Sequence, residues 1–483
     1  MPNIETLPVS FGTGSSSGRN GQEGVTAARN SYIEELGEEG KVPFIAYARN
    51  GLEQLTTFGS DATAGIRKLF NLDGALLVVC GRLLFATNES GASPTTIGGI
   101  PSDGFVTMAR NRAAQVAIVC DGLWFTYVGG ILTAGSDPDL PPPICVIEFN
   151  GYFIFLIADG RYFWTAIDDI TIDGLDFASA ESNADPNVMA ASRGSEALIF
   201  GTKTTQFITL SGDAGTFAPV KTINVGCYAA GTVCNIMRLR SGAPVTDTVI
   251  WAATDHNGAY SAVMMLDGYQ AVPISNDEVN RLILAETDPT LLRSMAWTED
   301  GHAFYCISGT AFSRCWDSRS ERWHNRDTYR EERWRMGYHS HVGRSVLFGD
   351  FDSNTVYRSD RSLLDDDGDP ILWETITPVI HAGPHRFNLG YLHIDVLTGV
   401  GINDDTQPES VDPMLMLSYS RDGLHFDNER LCPLGREGQR HIRVSEPMFG
   451  DFDRGGVSFK LGCSAAVAKG LMAMYAEIQK FDP

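Results

Sequence analysis

Lysine is scarce in this chain. Of its 37 basic residues only Lys41, Lys68, Lys203, Lys221, Lys460, Lys469 and Lys480 are lysines, and 60 acids leave a formal net charge of −23 over 483 residues. Gripping nucleic acid by counterion release needs clustered Lys and Arg, so an acidic surface that repels phosphate argues against a nucleic-acid-binding class. No run approaches the roughly 18 apolar residues of a membrane span, and the first residues, MPNIETLP, lack the basic and apolar regions of a secretory leader. The expectation is a protein with no membrane span and no classical export. The nine cysteines (Cys80, Cys120, Cys145, Cys227, Cys234, Cys306, Cys315, Cys432 and Cys463) are odd in number and show no CxxC spacing. Most sit inside apolar runs such as VVC and IVC, where a free thiol behaves as a small buried hydrophobe, and this favours folding in a reducing cytoplasm. GxSxG, HExxH, a phosphate loop and a dinucleotide fingerprint are all missing.

What the chain has instead is a repeat. Seven times between Leu76 and Asp360 a short apolar run meets a Gly, Asp or Asn turn and then a second run rich in aromatic or β-branched residues. This is the pattern of a β-hairpin. The units read LLVVCGRLLF from Leu76, QVAIVCDGLWF from Gln115, ICVIEFNGYFIF from Ile144 and ALIFGTKTTQFI from Ala197, with three more from Val249, Ala303 and Ser345. Their starts lie 39, 29, 53, 52, 54 and 42 residues apart, a mean of about 45 that suits propeller blades of roughly 40–50 residues. The expected fold is all-β, with a β-propeller of six or seven blades over residues 61–370. Such a fold offers loops and faces to partners and names no chemistry by itself.

The flanks read differently. Residues 1–60 carry the Gly/Ser-rich stretch FGTGSSSGRNGQEG from Phe11, expected as an extended N-terminal arm or loop that cannot form a core alone. The run LDDDGDP from Leu364 marks a boundary, because packed acids beside Gly and Pro favour a solvated turn. Beyond it, ITPVI, YLHIDVL, MLMLSYS, RHIRVS and VSFKL alternate as strands of a sandwich-like C-terminal platform over 371–483. The arm is expected to pack on that platform, whose strand edges need cover. Among the cations 30 are Arg, ten of them between Arg314 and Arg361 beside Asp317, Glu321, Asp327, Glu331, Glu332, Asp350, Asp352 and Asp360. That nearly neutral segment reads as a salt-bridge network, and the planar fork of Arg suits interfacial ion pairs.

Candidate chemistry is thin. Asp365, Asp367, Gly368 and Asp369 superficially suggest a calcium loop, but such a loop wants Gly after the third acid and Glu at its twelfth position, where Pro370 and Ile376 stand. His339 and His341 alternate on one side of a strand, and His381 and His385 flank a Gly-Pro turn, yet no further ligand completes a zinc spacing. The run WDSRSERWHNR from Trp316 fits a strand pair around a SRS turn better than an acid–base cluster. SRDGLHF from Ser420 approximates the Asp-box turn of sialidase-like propellers, in which Asp bonds the turn's own backbone and Gly423 supplies positive φ. No catalytic, cofactor-binding or metal-ligating residue is assigned, and no cofactor is expected.

RYFWTAIDDITIDGLDFASAESNADP (161–186) resembles the signature of the packaged-DNA stabilisation proteins of short-tailed bacteriophages, also called tail hub or nozzle proteins. RNSYIE (29–34), DPDLPP (137–142), NVGCYAA (224–230), GHAFY (301–305), RWHNR (322–326) and SRDGLHF (420–426) follow in the family's order, over roughly 25–480. Leu424 and His425 depart from the Gly and Thr usual in that last turn, and the segment after Gly438 is more divergent. The resemblance implies a non-enzymatic virion component of the tail, assembled in the host cytoplasm. Six copies would form a homo-oligomeric ring below the portal and its adaptor, continue the DNA channel, help retain packaged DNA, and anchor the tail needle, spikes or fibres. Double-stranded DNA would pass the lumen without specific binding. The alternative is a glycan-binding or glycan-degrading propeller of a phage tail. A degrading enzyme wants several Asp boxes and a pair of carboxyls roughly 5–9.5 Å apart, and only one such turn is present. A host adhesin would normally bring an export signal.

Overall fold

Seven short strands form a closed cycle at the centre of the larger part of the molecule. They are Ile66–Leu72, Val106–Arg110, Pro143–Phe149, Asn187–Arg193, Cys234–Arg238, Arg293–Glu299 and Met336–Val342, each lying beside the next and the last beside the first. The computed structural model describes all residues except 1–3, 13, 19–24, 38–39, 60–64, 181–184, 212–215, 240–243, 255–260, 404–406 and 482–483. Part of the Gly/Ser-rich stretch therefore lies outside the described residues. The chain folds as two compact units, residues 54–312 with 334–359, and residues 1–53 with 313–333 and 360–483.

The first unit is a β-propeller of seven blades. From each central strand the chain steps outward through antiparallel neighbours, as in the sheet of Val106–Arg110, Val116–Cys120, Leu123–Val128 and Ile131–Ala134. The second strand of every blade is covered on both faces: Val116 to Cys120 and Phe153 to Leu156 expose nothing, and Leu76, Leu77, Val78 and Val79 likewise. Burying a side chain of this size contributes about 1.5–3 kcal/mol, so these strands hold the blades together. A strand buried on both faces reads as a continuous apolar run, and this is why the repeat is visible in the sequence. The unit at Ile144 is the exception, since Ile144 lies in a central strand and the second strand of its blade is Tyr152–Ile157. The loose step there belongs to the reading frame and not to the fold.

The ring is closed by its own beginning. Strand Gly51–Thr57 is the outermost strand of the seventh sheet, after Met336–Val342, Ser345–Asp350 and Thr355–Asp360. Phe58 N donates to Asn354 O at 2.9 Å, and Phe58 is buried with Leu69, Leu76 and Val356. A nine-residue helix, Asp277–Ala285, capped by Asn276 Oδ1 accepting from Val279 N at 3.0 Å, packs on strand Ser261–Asp267.

The second unit is a β-sandwich. One sheet orders Val444–Phe452, Phe387–Val396, Gly470–Lys480, Phe44–Ala48 and Ser31–Glu35, with Ile4–Pro8 also on Gly470–Lys480. In the other, Val25–Arg29 pairs with Trp373–Ile376, which leads on to Ser458–Cys463, Met414–Ser420 and Arg430–Pro433. Phe387, Leu389, Leu392 and Ile394 from the first sheet and Leu415, Leu417, Phe459 and Leu461 from the second share one core with Val9, Phe11 and Ile33.

These units depart from the boundaries at 60 and 370 read from the sequence. Residues 54–59 fold with the propeller, and 313–333 and 360–370 with the sandwich. The hairpin Ser313–Asp317 and Arg322–Asn325, expected as a strand pair around a turn, is an antiparallel pair with Trp316 opposite Trp323. Its outer strand also serves the N-terminal strands, with Trp323 O accepting from Ser15 N and Asn325 O from Asn30 N, both at 2.7 Å.

A buried charge cluster fastens four segments of the sandwich unit. Asn30 adopts φ 49 between two strands, a left-handed conformation that Asn tolerates, and it is almost fully buried. Its Oδ1 accepts from Arg49 Nε at 3.0 Å and Asp327 N at 3.2 Å; its Nδ2 donates to Asp327 Oδ1 at 3.0 Å and Leu372 O at 3.1 Å. Arg49, with a side chain only 1% exposed, grips both oxygens of Asp366 at 2.8 and 2.5 Å. Arg29 Nε holds the other oxygen of Asp327 at 2.6 Å. Nearby, Lys469 Nζ donates to Ile371 O at 3.0 Å, and burial lowers its pKa to about 8. Gly51 is required beside this cluster, because a Cβ there would sit 2.2 Å from Asp365 O.

Removing one member of a buried ion pair costs about 3–5 kcal/mol, because the other charge is left uncompensated. Arg49→Met is therefore expected to lower stability in urea by about that amount. Lys41→Met, which breaks the exposed Lys41–Asp395 pair, should cost less than about 1 kcal/mol. Equal losses would mean the cluster does not hold the N-terminal strands.

Candidate functional site

The side chains singled out in the sequence have structural places. Asp366, expected in a solvated turn, is turned inward by Arg49. Asp365 accepts from Gly368 N and Gln407 Nε2, each at 3.1 Å, across a turn in which Asp367 and Gly368 have positive φ. Trp316 pairs across its strand with Trp323 and Cys315 with His324, and all four are buried. Asp317 caps the turn between them, accepting from Arg319 N at 3.0 Å and Ser320 Oγ at 2.7 Å. Asp422 Oδ1 accepts from Leu424 N and His425 N at 2.8 Å, Oδ2 meets His425 Nδ1 at 2.7 Å, and Gly423 has φ 76. Those bonds, the His425 amide first, hold the Asp422 carboxyl well below the usual carboxylate range. The Asp-box-like motif is a turn device here. His381 Nδ1 accepts from Gly383 N at 3.2 Å in its turn. Among the described residues no group of three or more His, Cys, Asp and Glu side chains is placed to hold a metal ion.

The charged residues from Arg314 to Arg361 divide between buried and exposed places. Asp317, Asp327 and Asp350 are buried, the last paired with Arg335. Arg326 is buried too, its Nε donating to His324 Nε2 at 3.2 Å. Arg344, Arg358 and Arg361 remain exposed.

Three features escaped the sequence. The segment 161–186 that carries the family resemblance supplies the two outer strands of the third blade, Arg161–Thr165 and Ile172–Ser179. Leu175, 85% exposed, and Phe177, 42% exposed, stand on that outer edge, with Phe177 stacked on Phe163 and Arg161 over the Phe163 ring. An exposed apolar edge rimmed by polar groups is characteristic of contact surfaces. On the sandwich, Arg440, His441 and Arg443 with Lys41 and Tyr475 line a groove of about 1130 Å³, a cationic feature on an acidic chain. Periodicity gave no sign of either, because exposed outer strands and loops lack a buried face.

The third feature is a cavity of about 370 Å³ on the propeller axis, lined by central strands and containing Lys68, Thr107, Met108, Cys234, Ser294 and His339. Here His339, first weighed as a zinc ligand, faces Lys68. Burial, with the nearby His341 and Lys68 charges, lowers its pKa to about 3; burial likewise lowers that of Lys68 and pushes the Cys145 and Cys234 thiols up to about 11. Protonated thiols are poor nucleophiles, and an imidazole of such low basicity is a weak general base.

An unfolded histidine titrates near 6.5. Below that pH the unfolded chain binds a proton that folded His339 refuses, so stability is lost as pH falls from about 6.5 toward about 3. His341, also lowered by burial, acts in the same direction. A His339→Phe variant should lose less stability across that window in thermal unfolding, and an unchanged slope would contradict this.

A seven-bladed propeller carried in one chain with a β-sandwich defines a scaffold class that names no chemistry by itself. Two family descriptions match in order: Bacteriophage P22 Gp10, beta-propeller, over residues 45–362, and Bacteriophage P22 Gp10, beta-sandwich, over 372–479. The chain belongs to the bacteriophage P22 Gp10 family, a family of phage structural proteins of DNA stabilisation, and is a virion component of that kind. No curated protein matches the chain. Solved propellers align over 64% of it: the computationally designed Ika8 protein (TM-score 0.39, 10% identity, 100% of that chain) and the WD40 β-propeller domain of Doa1 (0.38, 12%, 97%). The Cps50 (Swd1) propeller domain of Myceliophteria thermophila also aligns over 64% (0.41, 12%, 99% of that chain).

Proposed function

We propose that this protein is the tail hub of a short-tailed phage. Six copies form a ring below the portal and adaptor, continue the DNA channel, help retain the packaged genome and anchor the needle, spikes or fibres. The observation that carries the reading is that both parts of the P22 Gp10 description match in order and together span most of the chain. The apolar edge at Leu175 and Phe177 gives a neighbouring subunit or adaptor something to cover. The glycan-directed alternative loses support because the one Asp-box-like carboxylate is bonded within its own turn.

The charge of −23 suits a conduit. A lumen lined with Lys and Arg would hold each passing phosphate and retard ejection, whereas acids keep the duplex off the walls. Surface charge acts over a Debye length of about 8–10 Å at cellular salt, comparable to the gap around DNA in a close-fitting tube. Excess acids are therefore expected on the lumen face.

Particles lacking the protein should package DNA and then lose it, measured as empty heads after purification. Particles in which lumen acids are replaced by Lys should retain DNA and eject it more slowly. Heads that stay full and infectious without the protein would sink the assignment.

A further inference from the structure

We propose that the axial cavity of the propeller binds a small organic anion, its acidic head held between Lys68 and His339 and its apolar body against the methionines of the central strands. Lys68 lines the cavity and has no carboxylate or hydrogen-bond partner among the described residues. His339 lines the same cavity, and its recorded neighbours are the rings of Trp297 and His341, at 6.5 and 5.9 Å between centroids. Two half-buried polar side chains thus face one space in which neither meets a protein acceptor among the described residues, leaving both open to a ligand. Of the other lining groups, Cys234 is protonated, Ser294 Oγ donates to Gly231 O, and the one carboxylate, Glu148, accepts from Gly151 N.

The volume and lining define the rest of the ligand. A bare ion is much smaller than about 370 Å³, a space for roughly ten waters at about 30 Å³ each. Met108, Met189, Met295, Val146 and Phe105 line its apolar part, and thioether side chains adapt to varied shapes. A carboxylate with a compact hydrocarbon or aromatic body meets both requirements. A second hollow of about 530 Å³ shares Glu148, Ser192 and Asn235 with the cavity and carries Arg110, Arg112 and Asp247, Arg110 being paired with Asp73. At this rim Glu148 already accepts from Gly151 N at 2.7 Å, and Arg112 is exposed.

Benzoate is the probe, with acetate supplying the head alone and benzyl alcohol the body alone, all at matched ionic strength on the full chain. Ligand that binds only the folded state raises the melting temperature with concentration. Benzoate is expected to raise it more than either control and to shift the His339 ring resonance in NMR of histidine-labelled protein. Lys68→Met should weaken benzoate about tenfold or more without changing the response to benzyl alcohol, and Lys68→Arg should retain binding. Should Lys68→Met fail to fold, His339→Leu and the His339 resonance of the unmodified protein still decide. Equal responses to benzoate and benzyl alcohol, or an unmoved His339 resonance, would overturn the proposal.

Discussion

The guanidinium of Arg49 is buried and must find its hydrogen-bond acceptors within the protein. Much of the sandwich unit is arranged around that requirement. Asp366 supplies the matching carboxylate, Asn30 and the Asp327 carbonyl take remaining donors, and Arg29 balances Asp327. These residues come from sequence-distant segments, so satisfying one buried cation fixes where the N-terminal strands, the 313–333 hairpin and the 366 turn meet. Replacing such a cluster with apolar residues need not lose stability, but removing one member does. The cluster thus specifies an arrangement as much as it stabilises one.

The propeller depends on covering both faces of each second strand. That burial made the fold legible: Leu76–Val79, Val116–Cys120 and Phe153–Leu156 are apolar without alternation because neighbouring blades lie on both sides. Alternation in Phe387–Val396 exposed the sandwich in the same way, since one face meets the core and the other water. What could not be read were facts of long-range pairing. GLEQLTT at Gly51–Thr57 is an ordinary strand pattern, and nothing local says that it completes the last blade. The Trp316 and Trp323 hairpin reads locally as a strand pair, and nothing local says that its outer strand also meets the N-terminal strands. Asp366 sits in an acidic run whose composition points to solvent, and only the distant Arg49 turns it inward.

Sites follow the same division. Turn chemistry at Asp422 was legible because its partners are two or three residues away. The axial cavity was not, because Lys68, Cys234 and His339 meet only when seven blades close into a ring. The family identity was legible from an ordered series of short motifs, and its signature segment turned out to be an outer edge of one blade.

Negative-stain imaging of the purified protein, alone and mixed with portal–adaptor complexes, tests the hub reading most directly. The account predicts sixfold rings seated on the adaptor end of the connectors in the mixture. Bare connectors beside free protein, at concentrations where both are intact, would contradict it.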